Sequence, residues 1–214
     1  MNRKLINYFG LAGIIQLLSY TAAVIFAPLS FPGYNWMSQA VSDLSAESAP
    51  SRQLWDQISA LYGTCSIICM VCVVLFVADN RISSRLFRIG IYLFAAMNFI
   101  SEVGYTMFPL SDSGKDITTF SEIMHMIVTA AVVMLSIASL TILIISGLKK
   151  GGIRSIAVFA AIALVMMFVG AIGMKAVPPD YFGIIERFSV FAAVGFTAVL
   201  GIYLFCGFDQ KTKV

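Results

Sequence analysis

Six long apolar runs limit what this chain can fold into. They lie near residues 8–28, 57–78, 89–108, 120–147, 155–174 and 184–206. Each matches the roughly 20 helical residues needed to cross the hydrocarbon core of a bilayer. A transmembrane barrel would instead show alternating segments of about 10 residues, and these runs are continuous. The expected fold is therefore all-α: a polytopic membrane protein, a six-transmembrane-helix bundle, occupying 1–214 as a single domain. Composition agrees. The chain is 59% hydrophobic and only 12% charged, with a mean hydropathy of +0.91, against about 45–50% apolar and about 25% charged in soluble domains.

The basic residues are distributed unevenly between the two sets of connecting loops. Arg3, Lys4, Arg81, Arg85, Arg88, Lys149, Lys150, Arg154, Lys211 and Lys213 fall at one end of the bundle, and Arg52, Lys115, Lys175 and Arg187 at the other. Loops rich in Lys and Arg stay on the cytoplasmic side, so both termini are expected there, in a multi-pass protein of the cell membrane. The net charge of +3 is thus a topology signal, and no nucleic-acid partner is implied. Nearly all the acidic residues lie in the opposite, outer half, which topology does not require. Phe9 to Leu29 is longer than the 7–15 apolar residues of a signal core, so the first run is read as a retained anchor.

One histidine and two glutamates sit inside the apolar runs of the third and fourth helices: Glu102 in the third, and Glu122 and His125 in the fourth. A carboxylate near the centre of a spanning helix is unfavourable by about 2.5–3.5 kcal/mol on insertion scales, so such residues mark candidate sites. Counting along the helices places Glu102 about 10 Å, and His125 about 9 Å, from the outer end. Antiparallel neighbours would then bring Glu102 beside His125, as a carboxylate–imidazole pair suited to general base work or proton relay. Glu102, Glu122 and His125 are the candidate catalytic residues. Thr119 and Glu122 also have the spacing of a capping box, which alone would account for Glu122.

The outer loop from 30 to 56 is the longest connection. Met37, Val41 and Leu44 share one face at helical spacing, so a short surface helix is expected over 37–44, with Ser45 capping a following turn. Ser38, Ser42, Asp43, Glu186 and Arg187 are the candidate binding residues: Asp43 is expected to pair with Arg187 or cap the loop, and the two serines to form a lid. Cys65, Cys69 and Cys72 repeat at helical spacing on the second run, where they are read as packing residues. Ala193, Thr197 and Gly201 permit a close helix approach. With one histidine in the chain a three-His zinc site is excluded. HExxH, GxSxG and phosphate-loop motifs are absent. No cofactor and no metal is implied.

SQAVSDLSAESAPS in the outer loop resembles the Ile/Val-Ser-Asp-Leu-Gly/Ser-Ala…Pro signature of the prokaryotic membrane family called domain of unknown function 998. The resemblance continues through MFPLSD with His125 in the next helix. It extends to GIIERFSV, which is similar to that family's Gly-x-x-x-Arg opening of the last helix. It implies six spans and marks Ser42, Asp43, Pro109, His125, Gly183, Glu186 and Arg187 as key positions; Ser45 stands where the family usually has Gly. The layout is also loosely similar to six-span lipid-remodelling factors. The leading functional expectation is a membrane lipid or other amphiphile held in an outer-leaflet polar pocket where Asp43, Glu102, Glu122, His125 and Arg187 converge, whether for sensing, remodelling or hydrolysis. A small proton-coupled carrier using Glu102 and His125 is the rival, and a non-catalytic structural membrane protein the third reading.

Overall fold

The computed structural model describes residues 4–111 and 119–208. Six helices are long and apolar enough to cross a membrane: Leu5–Ser30, Ala60–Asp79, Arg85–Met107, Phe120–Leu148, Arg154–Ala176 and Pro179–Phe205. No strand occurs among the described residues. These first to sixth spans lie within a few residues of the apolar runs. The first tightens to 3-10 turns at Phe9–Leu11 and Ala27–Ser30. The second is preceded by a short helix, Arg52–Ile58, set off by Ser59.

Successive spans pack side by side in chain order, the sixth closes the ring against the first, and the second also reaches the sixth across the interior. Within a bilayer there is no hydrophobic drive between helices, so close packing and small residues must hold them. Glycine supplies this where the ring closes. A Cβ on Gly10 would strike the Gly201 carbonyl, and one on Gly13 would lie 3.1 Å from both Cys69 Sγ and the Thr197 carbonyl. Cys69 is fully buried in this contact and, like Cys65 and Cys72, carries a free thiol, so the cysteine stripe packs the interface. Below it, Phe94 meets Phe196 edge-on at 5.0 Å, amid buried Met70, Val73, Ile91, Met97 and Leu200.

The outer loop folds as a cap over one end of the bundle, but without the helix expected over 37–44. A 3-10 turn forms at Ser42–Ser45 instead. The backbone groups that a helix would pair internally are taken up elsewhere: Met37 O accepts from Ile184 N at 3.2 Å, and Val41 N donates to Glu186 Oε2 at 3.1 Å. The apolar face survives this change, with Val41 and Leu44 buried. Ser45 does not cap by accepting. Its hydroxyl donates to the Ser42 carbonyl at 3.1 Å, and its own carbonyl accepts from Arg52 Nη1. Two further backbone bonds, Glu47 N to Leu110 O at 2.9 Å and Ser48 N to Ser111 O at 3.2 Å, join the cap to the segment after the third span. The turn expected between the third and fourth spans, with Lys115, lies largely outside the described residues.

Candidate functional site

The cap is latched by the start of the sixth span. Gly183 permits the approach, because a Cβ there would collide with the Gln39 and Trp36 carbonyls. One turn later, Arg187 Nη1 donates to Trp36 O at 2.8 Å, Gln39 O at 3.2 Å and Gly183 O at 2.6 Å, while Nη2 donates to Tyr34 Oη at 2.8 Å. Asp43 Oδ2 accepts from Ala40 N at 3.2 Å. Asp43 therefore caps the loop and forms no ion pair with Arg187 among the described residues, where the one salt bridge is Arg52–Asp56 at 2.8 Å. Burial raises the Asp43 carboxyl above its usual range, against the opposing pull of the Ala40 N–H and the nearby Arg187 charge. Tyr34 is likewise raised by burial, with Arg187 opposing. Ser38 and Ser42 are both half-buried in the cap.

Glu102 belongs to a different place. It lies roughly 9 Å along the third span from the C-cap at Phe108. Its carboxyl is turned toward the second span, where it faces the Tyr62 hydroxyl. Gly63 makes the room, since a Cβ there would press directly on Oε2 of Glu102. Beside it opens a groove of about 540 Å³ lined by Gly63, Thr64, Ile67, Ile68, Glu102, Val103, Thr106 and Met107. Ile68, Val103 and Met107 are exposed, so the groove opens sideways, on the lipid-facing flank of the second and third spans.

His125 stands across the third span from this groove. Its Nδ1 is 2.8 Å from the Phe108 carbonyl, an acceptor, which assigns the proton to Nδ1. The ring lies against Tyr105 at 4.8 Å, and Tyr105 donates to Thr129 Oγ1 at 3.2 Å. The expected Glu102–His125 pair is not made. Their depths were read correctly, but each residue turns the helix by about 100°. Gly104 and Tyr105 face the fourth span, against Val128 and Thr129, which points Glu102 at the second. Glu122 is buried in a capping box: Thr119 N donates to its Oε2 at 2.9 Å, and its own N donates to Thr119 Oγ1 at 3.2 Å. The five charged candidates therefore do not share one pocket.

A buried aromatic cluster stands between latch and groove, and sequence reasoning missed it. Tyr20 on the first span packs at 4.7 Å and a tilt of 49° against Tyr62, and meets Trp55 edge-on at 5.7 Å and Phe191 edge-on at 5.8 Å. It is close enough to feel the charges of Glu186, Arg187 and Glu102. The available signal was two tyrosines at similar depth on neighbouring antiparallel runs, with Gly63 directly after the second. Below this layer Ser66 and Thr197 both reach Asn98 Oδ1, at 3.0 and 3.2 Å.

Three or more His, Cys, Asp or Glu side chains placed to hold a metal ion are not found among the described residues. What these features define is an integral membrane protein of six helices, latched at one end by its own loop and bearing an acidic groove on its flank. The chain belongs to the family described as "Protein of unknown function (DUF998)", which matches it over residues 14–203. No curated protein and no solved structure matches it.

Proposed function

We propose that this protein binds an amphiphile in the groove between the second and third spans. It would do so in the cell membrane, with its termini on the cytoplasmic side as the Lys and Arg bias favours. The observation that carries the reading is the groove itself, in which one carboxylate, Glu102, sits on an otherwise largely apolar wall open to the lipid phase. Ligand sites are typically clefts of about 300–1,000 Å³ with few, well-placed polar groups, and an ionisable residue at membrane depth is a functional candidate by default. Binding is favoured over hydrolysis because His125 and Glu102 face different neighbours. The test is native mass spectrometry of the purified protein against Thr106→Trp, which fills the groove. A co-purifying amphiphile present on the wild type and lost from the variant is the expected result. Equal lipid occupancy on both proteins would remove the reading.

The carrier reading has one observation in its favour, the buried Ser66–Asn98–Thr197 cluster one turn below Glu102. Beyond it, Cys69 and the Gly13–Gly201 contact are closely packed, which favours a one-sided site. Proton-dependent uptake into liposomes, abolished by Asn98→Leu, would reverse that preference.

A further inference from the structure

The groove's polar groups suit one kind of head group. Glu102 brings a carboxylate. Thr106 Oγ1 donates its proton to the Glu102 backbone carbonyl at 2.7 Å, so it is left facing the groove as an acceptor. The Tyr62 hydroxyl is turned to the Glu102 carboxyl. No Lys, Arg or His lines the groove, and Glu102 has no ion pair among the described residues. Arg187 has its guanidinium engaged by three carbonyls and the Tyr34 hydroxyl, and the described lining of the groove offers no cation to an anionic head group.

Resting on the amphiphile reading above, we propose that the occupant is a single-chain hydrophobic amine, with its ammonium against Glu102 and Thr106 and its chain along Ile67, Ile68 and Met107. An ammonium carries three donors and one positive charge, and the groove presents acceptors and one negative charge. An opposite charge within a few ångströms favours the ionised carboxylate in a poorly solvated wall. An alcohol of equal length supplies a donor without the charge. A phosphate monoester, or the phosphate of a zwitterionic lipid, sets like charge beside Glu102 with nothing to offset it. Gly63 is the positioning residue, because the space left by its missing side chain is where Oε2 of Glu102 lies.

The experiment uses the full chain in neutral detergent micelles. Three probes of one chain length carry a diazirine in the chain and end in a primary amine, an alcohol or a phosphate monoester; crosslinked peptides are mapped by mass spectrometry. The amine should label the peptides containing Ile67, Ile68 and Met107 at about tenfold lower concentration than either other probe, or better. Glu102→Gln should bring the amine down to the alcohol's level, with an unchanged thermal midpoint and gel-filtration profile reporting that the variant is folded. Thr106→Trp should abolish groove labelling by all three. Equal groove labelling by the three probes, or an amine preference that survives Glu102→Gln, overturns the amine assignment and leaves the amphiphile reading standing. Displacement of the amine probe by lysophosphatidylethanolamine as effectively as by the free amine overturns the commitment to a phosphate-free occupant. Labelling spread evenly over the lipid-facing surface removes both.

Discussion

Replacing Arg187 by alanine should unlatch the cap while leaving the six spans assembled. The guanidinium makes four hydrogen bonds, to Trp36 O, Gln39 O, Gly183 O and Tyr34 Oη, between 2.6 and 3.2 Å. A hydrogen bond to a charged group contributes about 1.5–3 kcal/mol, but four bonds from one side chain are far from additive. The cap also keeps the Ile184–Met37 and Val41–Glu186 bonds. A net loss of about 3–5 kcal/mol is therefore expected, since the Trp36, Gln39 and Gly183 carbonyls lose their donor and half-buried Glu186 loses a neighbouring positive charge. At 1.4 kcal/mol per tenfold, local opening of 34–41 should become at least about a hundredfold more frequent. Amide hydrogen exchange reads this directly. Protection of the Ile184 and Val41 amides should fall by that factor, while amides in the buried third span around Phe94 keep theirs. Arg187→Lys, a point charge without the planar fork, should recover only part of the protection. Unchanged exchange at Val41 in the alanine variant would refute the latch.

Gly201→Val should disrupt the ring closure, because its Cβ would strike the Gly10 carbonyl and lie 3.1 Å from Cys69 Sγ. Overpacking of about 1–3 kcal/mol or more should appear as a lower thermal midpoint and loss of monodispersity on gel filtration. Gly195→Ala, where nothing stands within 4 Å of the added carbon, should be neutral or raise the midpoint, by up to about 1 kcal/mol of helix propensity. Thr119→Ala removes the hydroxyl from the capping box and should lower stability by about 1 kcal/mol, with faster exchange at the Glu122 amide. For Asp43, a raised native pKa means that the docked cap holds the proton more tightly than the open one. Its contribution is then fully present below about pH 4, the unfolded value, and is lost as pH rises through the native value. Asp43→Asn should accordingly flatten the pH dependence of cap protection above that point, and protection at pH 8 no worse than wild type is the expected result.

The spans were legible because a bilayer demands length and apolarity, properties that any window of sequence displays. Depth was legible for the same reason: a fixed rise per residue located Glu102 and His125 along their helices. Azimuth was not. Which face of the third span meets the fourth is decided by how Gly104 receives Val128, a contact between residues far apart in sequence. The Thr119–Glu122 box was readable because both halves of the motif are side chains at fixed spacing. Arg187 was picked out, but its partners were not, since three of them are backbone carbonyls and every residue has one. The groove escaped notice because Gly63 contributes by lacking atoms, and an absent side chain stands out only once its neighbour Glu102 is located.

Apart from Tyr34 Oη, which accepts from Arg187, the bonds that fasten the cap, Met37 O, Trp36 O, Gln39 O and Val41 N toward the sixth span and Glu47 N and Ser48 N toward Leu110 and Ser111, use main-chain atoms of the loop. An attachment of this kind is nearly blind to which side chains the loop carries. Substitutions can therefore accumulate at Met37 and Ser38 while the loop holds the same path, whereas Asn35 and Gln39 brace it, Asn35 N donating to Gln39 Oε1 at 2.6 Å and Met37 N to Asn35 Oδ1 at 3.0 Å. The constraint falls on the other partner: Gly183 and Arg187 supply the space and the donors, and a change at either is felt along the whole loop at once.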